Sequence, residues 1–147
     1  MPIHSEKKNV PYSAEQMYAL VSDVNSYSDF LPWCSASRVI FQKKEEIHEI
    51  VEADLIVSFK LFREKFRSRV TLWKKDLKIE SNYLDGPFRK MHAQWEFENM
   101  QKGCDVKFFV EFEFKNKLLE KVIGVFFNEA MLKIVKAFED RAASLYQ

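Results

Sequence analysis

Few residues of this chain are placed to do covalent chemistry. Three histidines, His4, His48 and His92, stand far apart, and two cysteines, Cys34 and Cys104, lack the close spacing of a redox or zinc site. No nucleophile, base and orienting group fall together, so the sequence offers neither catalytic residues nor metal ligands. One acidic residue occupies an unusual setting. Glu64 lies between Phe62 and Phe66, and strand alternation puts all three on one face. An ionised carboxyl among phenylalanines demands a partner, and it is the kind of group that orients a molecule inside an apolar pocket. A bulge that turns Glu64 to solvent is the competing arrangement.

The opposite face of the same segment, LFREKFRSRVTLW, carries Arg63, Lys65, Arg67 and Arg69. Net charge is only +1, so this stripe is the sole local basic patch for a nucleic-acid partner. Acidic residues such as Glu96, Glu98, Glu111 and Glu113 could share that face and neutralise it, which would make it an ordinary solvated strand surface.

The elements that position these groups follow from periodicity. Residues 2 to 10 predict a short edge strand, and Ser13 with Gln16 predicts a capping box opening a helix over 13 to 24, followed by a short turn near 26 to 31. From about 36 to 114 the pattern alternates. In DVKFFVEFEF, Val106, Phe108, Val110, Phe112 and Phe114 share one face, and Met91, Ala93, Trp95 and Phe97 do the same in the segment before it. Turns at 44–46, 74–76, 85–87 and 101–103 divide these strands into an antiparallel meander with one buried aromatic face. A long helix capped by Asn116 then presents Ile123, Phe126, Phe127, Ala130, Ile134, Phe138 and Leu145 on one stripe that must cover that face. The expected fold class is α+β, a curved antiparallel sheet wrapped around one C-terminal helix, in a single domain over 1–147.

Two stretches are more apolar than this layout requires. The connector after the first helix holds Tyr27, Phe30, Leu31, Pro32 and Trp33, where loops are usually polar. The first turns of the long helix carry Leu118, Val122 and Val125 on the side away from the stripe. The aromatic loop is expected to pack there as a lid, with an ordinary core-closing loop as the alternative; a monomer and a dimer formed through these three residues both fit. Gly124, in the same helix, allows close approach of a ligand or another element, or is a plain packing notch. The N-terminus lacks a signal-peptide core and no stretch approaches a membrane span. With both cysteines read as buried thiols, the expected place is the cytoplasm or the inner face of the membrane.

The segments VPYSAEQMYALVSDVNSYSDFLPWC, YLDGPFRKMHAQWEF and VEFEFKNKLLEKVIGVFF resemble, in order and spacing, the coenzyme Q-binding branch of the START superfamily, which also includes the ribosome-association toxin RatA. The resemblance implies a helix-grip fold with a hydrophobic tunnel between sheet and long helix. It also implies a bound, non-covalent ubiquinone or similar polyprenyl lipid, and a carrier or chaperone role in respiration. On that layout Phe62, Glu64, Phe66, Trp95, Phe97, Phe112, Phe114 and Phe126 are expected to line the tunnel, with Tyr27, Phe30, Leu31, Pro32 and Trp33 over its mouth. Partners would be the lipid and, transiently, a membrane surface. The RatA side of the branch implies instead a partner in the large ribosomal subunit, whose association with the small one it would block, with Arg63, Lys65, Arg67 and Arg69 as the RNA contact. Polyketide cyclases and dehydrases share the superfamily, but fold similarity alone carries that activity nowhere.

Overall fold

A computed structural model describes residues 2–59 and 62–146, except the side chains of Phe59 and Phe62. Strand β1 (Ile3–Val10) leads into helix α1 (Ala14–Ser22) and a 3-10 turn (Val24–Asp29). Six strands follow: β2 (Cys34–Lys44), β3 (Glu49–Phe59), β4 (Phe62–Trp73), β5 (Lys78–Asp85), β6 (Phe88–Asn99) and β7 (Cys104–Phe114). Helix α2 (Lys117–Leu145) comes last. The seven strands form one antiparallel sheet in the order β1-β7-β6-β5-β4-β3-β2, so β1 is the edge strand its position predicts.

Local chemistry accounts for the helix starts. Ser13 Oγ accepts from the Gln16 amide and Gln16 Oε1 accepts from the Ser13 amide, each at 3.0 Å, which completes the capping box. Asn99, at the end of β6, accepts from the Ala14 amide at 2.8 Å and so ties the start of α1 to the sheet. In α2, Asn116 Oδ1 accepts from the amides of Leu118 and Leu119.

The sheet curves around α2. Along β7 Val106, Phe108, Val110, Phe112 and Phe114 are buried, and α2 meets them with Phe127, Val135, Phe138 and Ala142. The rings of Phe112 and Phe127 are 4.5 Å apart and those of Trp95 and Phe138 5.1 Å, both edge to face. The helix stripe departs from expectation at its end. Leu145 is 50% exposed, because in the last turns the core is met by Ala142, fully buried, and by Tyr146, packed against Tyr12, and Leu145 lies off that face.

Leu118, Val122 and Val125 are 72%, 53% and 77% exposed, so the aromatic loop does not cover them as expected. They crown the outer side of the first turns of α2, while the loop packs further along the helix, against Phe138. Gly124 is not a site of close approach either. A Cβ added there would find Pro2 Cγ as its nearest neighbour beyond the helix, at an ordinary 4.0 Å.

Gly103 is a different case. It closes the β6–β7 turn at φ +68, its carbonyl accepts from the Met100 amide at 3.0 Å, and a Cβ there would stand 1.9 Å from the Val10 carbonyl oxygen. Gly103→Ala therefore combines left-handed strain with a backbone clash, and is expected to lower unfolding free energy by at least about 2 kcal/mol in urea denaturation.

Candidate functional site

The helix and the sheet part company at one end and leave a cavity of about 240 Å³. Its sheet wall is Leu55 and Val57 from β3, Phe66 from β4, Phe88 and Met91 from β6, and Val110, Phe112 and Phe114 from β7. Helix α2 supplies Ile123, Phe126, Phe127, Ala130, Met131 and Ile134, and the segment Leu31–Pro32–Trp33–Cys34 closes one side. The wall is built of edge-to-face aromatic contacts: Phe88 stands 5.5 Å from Phe66 and 5.7 Å from Phe112, and Phe112 stands 4.9 Å from Phe114. No charged side chain is among the described lining residues.

Four of the expected lining residues, Phe66, Phe112, Phe114 and Phe126, meet at this cavity. Trp95 and Phe97 do not. They are buried further along the sheet, where Trp95 stacks on Phe97 and packs 4.3 Å from Phe108, and Phe97 meets Tyr18 of α1 at 6.3 Å. Alternation assigns them the correct face but cannot say which stretch of it the helix fills. The side chain of Phe62 lies outside the described residues.

Glu64 is exposed and does not line the cavity, contrary to the expected polar anchor. Strand β5 reaches along β4 only as far as Arg67, opposite Asp85, so Glu64 has a strand neighbour on one side alone, Val57 of β3. Its carboxyl stays in water, where it needs no buried partner.

Phe88 was hidden from a reading by alternation. Counting back from Met91 puts it outward with Lys90 and His92, but a bulge between Phe88 and Lys90 turns it inward. The Gly86-Pro87 pair just before it is the only sequence signal for such an irregularity.

The aromatic loop divides its work. Tyr27 and Phe30 pack edge-on against Phe138 at 5.3 and 5.2 Å, and the Tyr27 hydroxyl donates to the Val21 carbonyl. Burial pushes the Tyr27 phenol well above its ordinary pKa, so it remains a donor. Arg141 caps the Phe30 ring at 5.3 Å. Tyr27 and Phe30 are half-buried and pack against the core. Leu31, Pro32 and Trp33 form the cavity wall, and Trp33 does so in a left-handed conformation, φ +64, with its carbonyl accepting from the Ser58 amide at 2.7 Å. Such a backbone costs about 1–3 kcal/mol and persists only where surrounding contacts enforce it.

The remaining polar candidates fall elsewhere. Cys34 is half-buried at the cavity and Cys104 is buried in the core; both thiols are free. Burial raises both, Cys104 to about 11 with help from the charges of Asp105 and Glu15, so neither is a ready thiolate. His4 is buried between Glu6, at 2.9 Å, and Asn128 of α2, at 3.2 Å; His92 contacts Asn82 at 2.9 Å on the outer face. No group of three or more metal-ligating side chains occurs among the described residues. Two hydroxyls on the inner face, those of Ser68 and Tyr83, are buried without a hydrogen bond of good geometry, an arrangement that costs about 1–3 kcal/mol for each.

Residues 10–139 match the family model described as polyketide cyclase / dehydrase and lipid transport. The chain belongs to this family. Ribosome association toxin RatA of Escherichia coli (strain K12) is 39% identical over 147 residues, spanning 99% of this chain and 90% of that relative. Coenzyme Q-binding protein COQ10 homolog B, mitochondrial, of Xenopus laevis is 34% identical over 148 residues, spanning 97% of this chain and 59% of that relative. The solution structure of an 18 kDa protein from Caulobacter crescentus superposes with a TM-score of 0.83 at 33% identity, over 99% of both chains. The architecture is the α+β helix-grip fold of START-like proteins.

In this family member the basic stripe is largely neutralised, though not by the glutamates expected to do so. Arg67 makes a two-pronged contact with Asp54 at 2.8 and 3.2 Å, Lys65 reaches the same carboxylate at 3.4 Å, and Arg69 pairs with Glu52 at 3.2 Å. Both acids come from the adjacent strand β3. Glu111 and Glu113 instead bind Lys90, Arg89 and Lys117. Among the described residues, Lys65, Arg67 and Arg69 of the stripe have ion-pair partners and Arg63 has none.

Two outcomes follow from this geometry. Phe112→Ala removes a ring shared by the wall and the core and is expected to destabilise the fold by about 3–5 kcal/mol, read by chemical denaturation. The hydrogen bond from Arg67 holds the Asp54 carboxyl below its usual range. Stability from this pair is present above the unfolded pKa of about 3.9 and is lost as pH falls through the lower folded value. Arg67→Gln should accordingly be less stable than the native protein at neutral pH, with the difference shrinking as denaturation is measured in increasingly acid buffer.

Proposed function

We propose that the protein binds an apolar, ring-bearing lipid of the ubiquinone class in the cavity between sheet and α2 and carries or chaperones it in respiratory electron transport. The observation that supports this most is a wall of aromatic and aliphatic side chains with no charged group among the described lining residues. A volume of about 240 Å³ lies below the usual range of about 300–1,000 Å³ for small-molecule pockets, so it suits a ring or the first part of a tail. A longer tail would leave past Phe126, which both lines the cavity and is 37% exposed, and run over the ridge of Leu118, Val122 and Val125. With Lys117 and Lys121 beside it, that ridge suits transient contact with a membrane surface. No helix among the described residues is long and apolar enough to cross one. The described lining residues hold no acid, base or thiolate to act on a ligand, which favours carriage over catalysis.

A second reading rests on the relative named ribosome association toxin, at 39% identity. In that reading the outer face of β4 contacts RNA of the large ribosomal subunit, with Arg63 free to approach phosphate and Lys65, Arg67 and Arg69 exchanging their carboxylate partners. The need to break those pairs first places it behind the lipid reading. The two activities are compatible, because they use opposite faces of the sheet.

Solvent extraction of purified protein followed by mass spectrometry is expected to release a polyprenyl quinone. Protein that is empty and takes up no added quinone would overturn the carrier reading. Trp33→Ala should speed quinone loss to acceptor vesicles while leaving the melting temperature nearly unchanged, whereas Phe30→Ala should lower the melting temperature. If the ribosome is a partner, changing Arg63, Lys65, Arg67 and Arg69 together to Gln should weaken cosedimentation with large subunits, the salt slope falling by about one unit for each phosphate no longer neutralised.

A further inference from the structure

The strand register sets Ala53, Ser68 and Tyr83 side by side on the inner face of β3, β4 and β5. The rows on either side are apolar where they cross β3 and β4: Leu55 opposite Phe66, and Val51 opposite Val70. Ser68 is 4% exposed, and neither its hydroxyl nor that of Tyr83 makes a hydrogen bond of good geometry among the described residues, although the two residues are directly paired across the strands. The backbone of Phe88 comes near the Tyr83 hydroxyl without satisfying it. Tyr83 stands edge-on to the Phe88 ring at 5.5 Å, and Phe66 of β4 meets that ring at the same distance. Both phenylalanines line the cavity. The Tyr83 ring thus lies one ring behind its wall, with Ser68 paired to it from β4.

Buried hydroxyls that serve only the fold are normally well bonded to backbone or to each other. Here neither is, and the small neighbour Ala53 leaves the row without a large side chain at its β3 end. We propose that Ser68 and Tyr83 form the polar end of the ligand site, donating hydrogen bonds to neutral oxygen acceptors on a ring, such as carbonyl or methoxy groups, when Phe66 and Phe88 turn aside. This rests on the carrier reading and supplies the anchor that Glu64 does not. Burial raises the Tyr83 phenol above its ordinary value, which keeps it protonated as a donor at neutral pH. A carboxylate or phosphate head group is disfavoured, because no cationic side chain lines the cavity among the described residues. A plain hydrocarbon gains nothing from the pair.

The test compares decylubiquinone with decylbenzene, which shares its tail and a six-membered ring but lacks the oxygens. Affinities are read by displacement of an apolar fluorophore from the native protein, Ser68→Ala, Tyr83→Phe and the double variant. Each single change is expected to weaken decylubiquinone by about three- to tenfold while decylbenzene is unaffected. The melting temperature of the ligand-free variants should hold or rise, since no well-formed internal hydrogen bond is removed. Unchanged preference for the quinone in the double variant would overturn the anchor and leave the carrier reading standing. A drop in melting temperature with that preference intact would assign the hydroxyls to the fold alone. If the native protein binds neither probe, the carrier reading fails and the anchor with it.

Discussion

Phe138 fixes α2 against the sheet by standing among Trp95, Tyr27 and Phe30, with ring centroids 5.1 to 5.3 Å away. Contacts of this kind draw on three separate regions, the meander, the aromatic loop and the long helix, and they bury large apolar area in edge-to-face geometry. With the helix held there, its N-terminal half can span the remaining sheet only at a distance. Phe112 meets Phe127 on one flank, and the cavity lies between the helix and the neighbouring wall of Leu55, Val57, Phe66, Phe88 and Met91. The cavity is the space left between this half of the helix and the curved sheet.

The same constraint explains why the aromatic loop is both core and wall. Tyr27 and Phe30 are held by Phe138, which places the next residues, Leu31 to Cys34, at the open end of the cavity. Trp33 then accepts a left-handed backbone to turn into β2, with the Ser58 amide bonded to its carbonyl. The loop is thus held at both ends, by Phe138 at Tyr27 and Phe30 and by the Ser58 amide at Trp33.

Charge is arranged to leave the inner face alone. The outer face pairs Arg67 and Lys65 with Asp54, Arg69 with Glu52, and Lys90 with Glu111, all between adjacent strands. Pairs at this exposure add little stability each. They do keep a highly charged surface close to neutral, while the buried residues are mostly aromatic and aliphatic, with His4, Ser68 and Asp105 among the few polar ones.

Much of this was legible in the sequence. Ser13 and Gln16 announced α1, Asn116 announced α2, and the alternation of Val106 to Phe114 announced a strand with one aromatic face, because each signal depends on residues only a few positions apart. The family branch was likewise visible in three contiguous segments. The cavity was legible only in part: Phe66, Phe112, Phe114 and Phe126 were on the correct face, yet nothing local separated them from Trp95 and Phe97, which fill solid core. The fate of Glu64 depended on where β5 stops, the inward turn of Phe88 on a bulge, and the meeting of Ser68 with Tyr83 on the register of β4 against β5. Periodicity fixes which way a side chain points from its own strand. What it then meets is set by the alignment of strands and helix distant in sequence, and only the packed tertiary structure decides that.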